Sequence, residues 1–233
     1  MQRSSDAVSL LVVGLAAIAI CPSFASAADL GIAPIQSHPH GQTYAQWAVE
    51  WWQWALGTPA SVNPVLDETG DDCAEGQKGH IWFLAGTFGT GPASVVRTCT
   101  IPTGTALFFP LINSLYGAFL NDSPETRTEE YIRSQVACKD VSISAQIDGV
   151  PVGNPLHYYE QSPLFDVQLP TDNVFGLGED VIPKLLLSPS VDAGYYLFLH
   201  PLPPGSHTLH WVSSQSCPAS DYAEDVTYHL TVR

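Results

Sequence analysis

The chain offers eight histidines and 23 acidic side chains to any chemistry it performs. His210 and His229 fall on neighbouring strand candidates, and His200 ends a third. Imidazoles on adjacent strands can converge on one Zn²⁺ or Cu²⁺ ion, provided the strand register brings them to the same face. The competing expectation is that these rings fill half-buried sheet positions. His38-Pro39-His40 carries the same ligand type, but on a lead near the start of the mature chain. The acidic segment from Asp67 to Glu75, with Asp67, Asp71 and Asp72 at its centre, has the oxygens a Ca²⁺ ion takes. Its spacing is not that of an EF-hand loop, and a solvated turn beside Cys73 accounts for it as well. The tryptophan stripe of the first helix could form a sugar-stacking platform, but core burial is the favoured expectation, with Glu50 and Trp52, at its margin, the ligand-binding candidates that reach a surface.

Several chemistries lack their sequence signature. The chain has no G-x-S-x-G, no H-E-x-x-H and no G-x-x-x-x-G-K-[ST]. Gly86, Gly89 and Gly91 lie between two strand candidates, so a loop that needs positive φ explains them better than a phosphate cradle. With 8 Lys+Arg against 23 Asp+Glu the net charge is −15, which argues against nucleic acid or anionic lipid as partner.

The compartment follows from the first residues. Arg3, the apolar run Ala7 to Ile20 and the small-residue site Ala25-Ser26-Ala27 have the order of a secretory signal, so residues 1–27 are expected to be removed, leaving Ala28 first. The apolar run is shorter than the ~20 residues of a membrane span, and no second one follows, so no membrane insertion is expected after cleavage. Loss of Cys21 with the signal leaves Cys73, Cys99, Cys138 and Cys217, an even number that reads as two disulfides in an exported chain. Three connectivities exist. Cys73 stands before one strand candidate and Cys99 near the end of the next, which favours Cys73–Cys99 and, by elimination, Cys138–Cys217.

The elements that must position these residues are mostly strands. Thr43 and Gln46 have capping-box spacing before a helix predicted over Tyr44 to Leu56, and Gly57 and Pro59 stop it. At about 100° per residue, Tyr44, Trp47, Trp51 and Trp54 share one stripe, with Gln46, Glu50 and Gln53 opposite and Trp52 at the margin. A second, short helix is predicted from Ser123-Pro124 to about Ala137. Strands are predicted over His80 to Thr87, Ser94 to Ile101, Ala106 to Asn113, Val141 to Ile147, Gly194 to His200, Ser206 to Ser213 and Asp225 to Val232, with Asp148-Gly149 a hairpin turn. Gln161 to Pro189 reads as irregular. The pattern predicts a mainly β fold, an antiparallel β-sandwich of jelly-roll or Ig-like type. Residues 28–66 form a helical lead packed on one sandwich domain over 67–233. Ile81 to Ala85, Leu107 to Phe109 and Tyr195 to Leu199 are apolar at every position, which demands burial on both faces. The tryptophan-striped helix is the expected third layer.

Taken together, WAVEWWQW from Trp47, CAEGQKGHIWFLAG from Cys73, RTCTIPTGTALFFPLIN from Arg97, IDGVP from Ile147, SPLF from Ser162, GYYLFLHP from Gly194, PPGSHTLH from Pro203 and TYHLTV from Thr227 resemble a group of uncharacterised exported bacterial β-rich proteins. The resemblance runs from Tyr44 to Val232 and implies export and a β-rich fold. It adds no functional residue.

The expectation for function is a secreted or periplasmic, non-enzymatic binding module whose partner is an extracellular glycan or protein. The alternative is an exported hydrolase or metal-dependent enzyme using a His/carboxylate cluster. No cofactor is expected, calcium and zinc being the candidates if one is bound.

Overall fold

The computed structural model describes residues 30–88 and 94–233. The expected signal segment with Cys21 and Ala25-Ser26-Ala27, and the loop glycines Gly89 and Gly91, lie outside the described residues.

Among the described residues ten strands form two five-stranded sheets. The first contains β1 (Ile81–Phe83), β3 (Ala106–Phe119), β8 (Leu186–Leu199), β6 (Tyr159–Gln161) and β7 (Phe165–Gln168). Its order is β1-β3-β8, with β6 and β7 pairing successive stretches of β8. The second runs β2 (Ser94–Ile101), β10 (Asp221–Val232), β9 (Gly205–Ser216), β4 (Lys139–Ile147) and β5 (Val150–Pro151). The fold is the expected mainly β sandwich. Two parallel pairs, β1 with β3 and β2 with β10, make both sheets mixed.

Phe109 of β3 stacks on Trp211 of β9 at 5.2 Å, and Trp211 stacks on Tyr228 of β10, so the inter-sheet core is aromatic. The opposite face of the first sheet is buried by α1 (Tyr44–Gly57), the third layer that the all-apolar strands require. Its N-terminus carries the capping box, with Thr43 accepting from the Gln46 N–H and the Gln46 side chain accepting from the Thr43 N–H. Tyr44 then meets Phe108 edge-on, and its hydroxyl bonds Ala33 and Phe198 of the backbone. Trp51 donates to the Leu84 carbonyl. All four tryptophans of the helix are buried, Trp52 included at 7% exposure, which corrects its expected marginal place. The buried face takes in a fifth ring beside Tyr44, Trp47, Trp51 and Trp54 because the helix is covered on more than one side.

Strands are longer where the pattern looked irregular. A bulge at Leu111 shifts the side-chain alternation of β3, so a single period cannot follow it from Ala106 to Phe119. The predicted second helix is a short turn, Pro124–Arg127, followed by α2 (Glu129–Gln135) capped by Thr128. In the β4–β5 turn, Asp148 and Gly149 both have positive φ, the requirement of the tight hairpin that the dipeptide signals.

Both disulfides form as paired from the sequence, Cys73–Cys99 and Cys138–Cys217. The first does not bridge a hairpin: β1 and β2 lie in different sheets, and the bond ties the acidic turn to β2, where the Thr98 N–H also donates to Thr69 O. The second closes the ends of the neighbouring strands β4 and β9. Among the described residues no helix is long and apolar enough to cross a membrane.

Candidate functional site

One flank of α1 borders a groove of about 800 Å³. Trp47, Glu50, Trp54 and Gly57 recur at three- and four-residue spacing and line one wall, with Gln53 beside them. The facing wall is the segment from Glu75 to Phe83. Hydrogen bonds fix both walls. The Trp47 indole N–H donates to Pro39 O at 3.0 Å and that of Trp54 to Glu75 O at 2.9 Å. Gln77 donates to the Cys73 and Phe83 carbonyls and accepts from the Phe83 N–H, locking the turn to β1. Gly76 has φ +67°, and a Cβ there would lie 3.0 Å from the Trp54 ring, so the close approach of the two walls needs glycine. Phe83 meets Trp47 and Trp54 at 6.4 and 5.6 Å, so the two walls touch through their rings. The ionisable side chains of the lining are Glu50, Glu75, Lys78, His40 and His80. Glu50 accepts from the Gln42 side chain at 2.6 Å. A lining that joins aromatic rings to carboxylate, amide and imidazole groups suits a polar ligand with one apolar face.

Two carboxyls are sealed away from this groove. Asp192 of β8 is fully buried beneath α1, and burial pushes it up to about 7 despite hydrogen bonds from Trp52 and Tyr196. Both donors meet Oδ1 at 2.7 Å, while among the described residues Oδ2 has no partner. Glu224 of β10 is likewise pushed up to about 7 by burial, against hydrogen bonds from the Thr87 N–H and Trp211 and the nearby Arg97 charge. Neither carboxyl lines the groove.

The residues singled out in the sequence do not form one site. Glu50 lines the groove, but Trp52 turns to the other flank of α1 and donates to Asp192. His210 and His229 share the outer face of the second sheet, two register positions apart. His210 bonds Asp225 at 2.9 Å, and the exposed His229 lies 3.5 Å from the Thr208 hydroxyl. His200 ends β8 in the other sheet, so the three rings do not converge. Asp67 is absorbed by its own turn: its carboxylate accepts from the Thr69 hydroxyl and from the Thr69 and Asp72 N–H groups. Those bonds hold it below the usual carboxylate range, outweighing its partial burial. Asp71 is exposed and Asp72 half-buried. Among the described residues no three His, Cys, Asp or Glu side chains are grouped as a metal site. His40 faces the groove, whereas His38 is exposed outside it.

Asp192, Glu224 and Arg97 escaped the sequence reading, although one signal marks all three. Arg97 shares strand parity with Val95, Cys99 and Ile101, Glu224 with Val226, Tyr228 and Leu230, and Asp192 with Tyr196 and Phe198. An ionisable residue on the apolar parity of a strand is a buried charge in need of partners.

No family model matches the chain, and no curated protein matches it in sequence. Among solved structures it is similar to one described as the solution structure of amebosin, at 11% identity over 61% of this chain and 100% of that one, with a TM-score of 0.19. A likeness at that score carries no argument.

Proposed function

We propose that the protein is exported and acts as a non-enzymatic binding module, with the groove beside α1 holding an extracellular glycan. The observation that carries this reading is the groove's composition: the half-buried Phe83 ring and the small part of Trp47 and Trp54 that stays accessible, with Glu50, Gln53 and the imidazoles of His40 and His80. Pyranose rings present an apolar C–H face and a rim of hydroxyls. Aromatic surface takes the first, and short-range acceptors and donors take the second. Export is supported by the secretory pattern at the start of the chain and by two formed disulfides.

Glu50 and Glu75 stand on the two walls, which is what favours the hydrolase alternative. One experiment separates the readings. The exported, oxidised protein is titrated with neutral oligosaccharides by calorimetry, and the same mixtures are assayed for new reducing ends. Saturable binding without cleavage, weakened at least about tenfold by Glu50→Gln at unchanged melting temperature, is the expected result. Steady release of reducing ends, lost in the Glu50→Gln and Glu75→Gln variants, establishes the hydrolase instead. Absence of binding to every neutral glycan overturns the groove assignment. N-terminal sequencing of the exported form should return Ala28.

A further inference from the structure

The other flank of α1 borders a separate cavity of about 340 Å³. Its walls are Trp52 and Leu56 of α1, Leu115 and Phe119 of β3, Leu187 of β8 and Phe175 of the loop between β7 and β8. Among the described residues no Asp, Glu, Lys, Arg or His lines it. We propose that this cavity is a binding site for one small, uncharged, apolar molecule.

The wall formed by Trp52 is firmly placed. Trp52 is held at its N–H by Asp192 and packs edge-on against Trp51 at 4.9 Å and 87°. Asp192 is also the direct register partner of Leu115, so the carboxyl that fixes Trp52 stands beside a second wall residue. A site prepared in this way loses little side-chain freedom on binding. Its volume lies within the range of small-molecule pockets, roughly 300–1,000 Å³.

The lining sets the ligand class. An ion placed among these side chains would lose its water and find no counter-charge, whereas an apolar molecule gains with every part of its surface that it hides from water. The rim points the same way. Phe175 is 39% exposed and Leu177 36% exposed, and Phe175 meets Phe88 edge-on at 5.8 Å. Large apolar side chains left in water around an apolar cavity are the surface that such a ligand covers.

The test titrates the oxidised protein with N-phenyl-1-naphthylamine, a neutral fluorophore, following probe emission and tryptophan quenching. One site per chain is expected, displaced by 1-octanol at least tenfold more effectively than by octanoate. Phe175→Asp puts a charge on the exposed rim, and Leu115→Trp fills the interior; each should weaken the probe at least tenfold. Phe175→Asp is the decisive variant, because a rim position leaves folding intact and readable by circular dichroism. Absence of saturable binding, or unchanged affinity in folded Phe175→Asp, overturns the assignment. Equal displacement by octanol and octanoate overturns the uncharged class.

Discussion

Asp192 lies under α1 and Glu224 lies under the segment that follows β1, and burial pushes both carboxyls up to about 7. Each takes a hydrogen bond from an indole, Trp52 in one case and Trp211 in the other. There the likeness ends. Glu224 uses both oxygens, with Oε1 on Trp211 and Oε2 on the Thr87 N–H, and Arg97 supplies a counter-charge. A Cβ on Gly86 would lie 2.6 Å from Oε2, so the backbone itself makes room for this acid. Asp192 has two donors crowded on Oδ1, none on Oδ2 among the described residues, and no cation among the groups that shift it. The Glu224 centre is a completed network that straps the 85–87 segment to β10. The Asp192 centre is a single anchor for Trp52, retained with an unused oxygen. Equal burial therefore does not mean equal dependence on charge.

The largest effect should come from the cation that only one centre has. Arg97 bonds Asp67 O, Ala85 O, Gly86 O and the Tyr228 hydroxyl, and lies over the Tyr228 ring at 5.5 Å. Arg97→Met takes the donor from Asp67 O and Gly86 O, leaves Ala85 O to the Tyr228 hydroxyl alone and strips Glu224 of its counter-charge, a loss of about 3–5 kcal/mol. Urea unfolding with the disulfides intact measures it. A loss below about 1 kcal/mol would mean that the Glu224 network is no more charge-dependent than the Asp192 anchor.

What the sequence made legible was local or compositional. The helix over Tyr44 to Leu56 and the strand Ser94 to Ile101 follow from caps, stop signals and parity. The third layer followed from strands with no polar face. The centres around Asp192 and Glu224 were not legible, because they depend on pairing far along the chain. Asp192 meets Trp52 140 residues away, and Glu224 meets Thr87 137 residues away. The acidic run from Asp67 to Glu75 attracts notice in a sequence, yet its Asp67 carboxylate is taken up by its own turn. A lone acid inside an apolar strand is quieter and carries the larger physical consequence. The groove was half legible: Glu50 could be chosen, but the wall from Glu75 to Phe83 is brought opposite α1 by the sheet.

The next effect is on pH. Each carboxyl ordinarily titrates near 4, at 3.8 for Asp and 4.5 for Glu, and in the folded protein near 7, so the folded state binds extra protons between those values. Stability from this source is complete below the unfolded values and is lost as pH rises through about 7. Between pH 5 and 8 the Asp192 share is about 2–3 kcal/mol. His207 adds a smaller change of the same sign, because Asp148 raises it against the effect of its partial burial. Urea midpoints should fall from pH 5 to 8 in the parent, and Asp192→Asn should remove roughly half of that fall. A flat parent profile would show that neither acid is carried protonated into the fold.

The smallest effect is also the sharpest, because it asks which oxygens matter. In Glu224→Gln the new amide nitrogen must face either the Trp211 N–H or the Thr87 N–H, since each oxygen already accepts one of them. One buried donor is then set against another, which costs about 2–3 kcal/mol. In Asp192→Asn the retained oxygen can keep both Trp52 and Tyr196, and the nitrogen takes the place of Oδ2, where no donor stands. At pH 5, where the parent carboxyl is protonated, this variant should lose less than about 1 kcal/mol. At pH 8 it should equal or exceed the parent, because an amide has no charge to bury. Chemical denaturation of the two variants at both pH values decides the matter. Similar losses for Gln and Asn at pH 5 would mean that Oδ2 has a partner in solution, and the contrast between a completed network and a single anchor would fall.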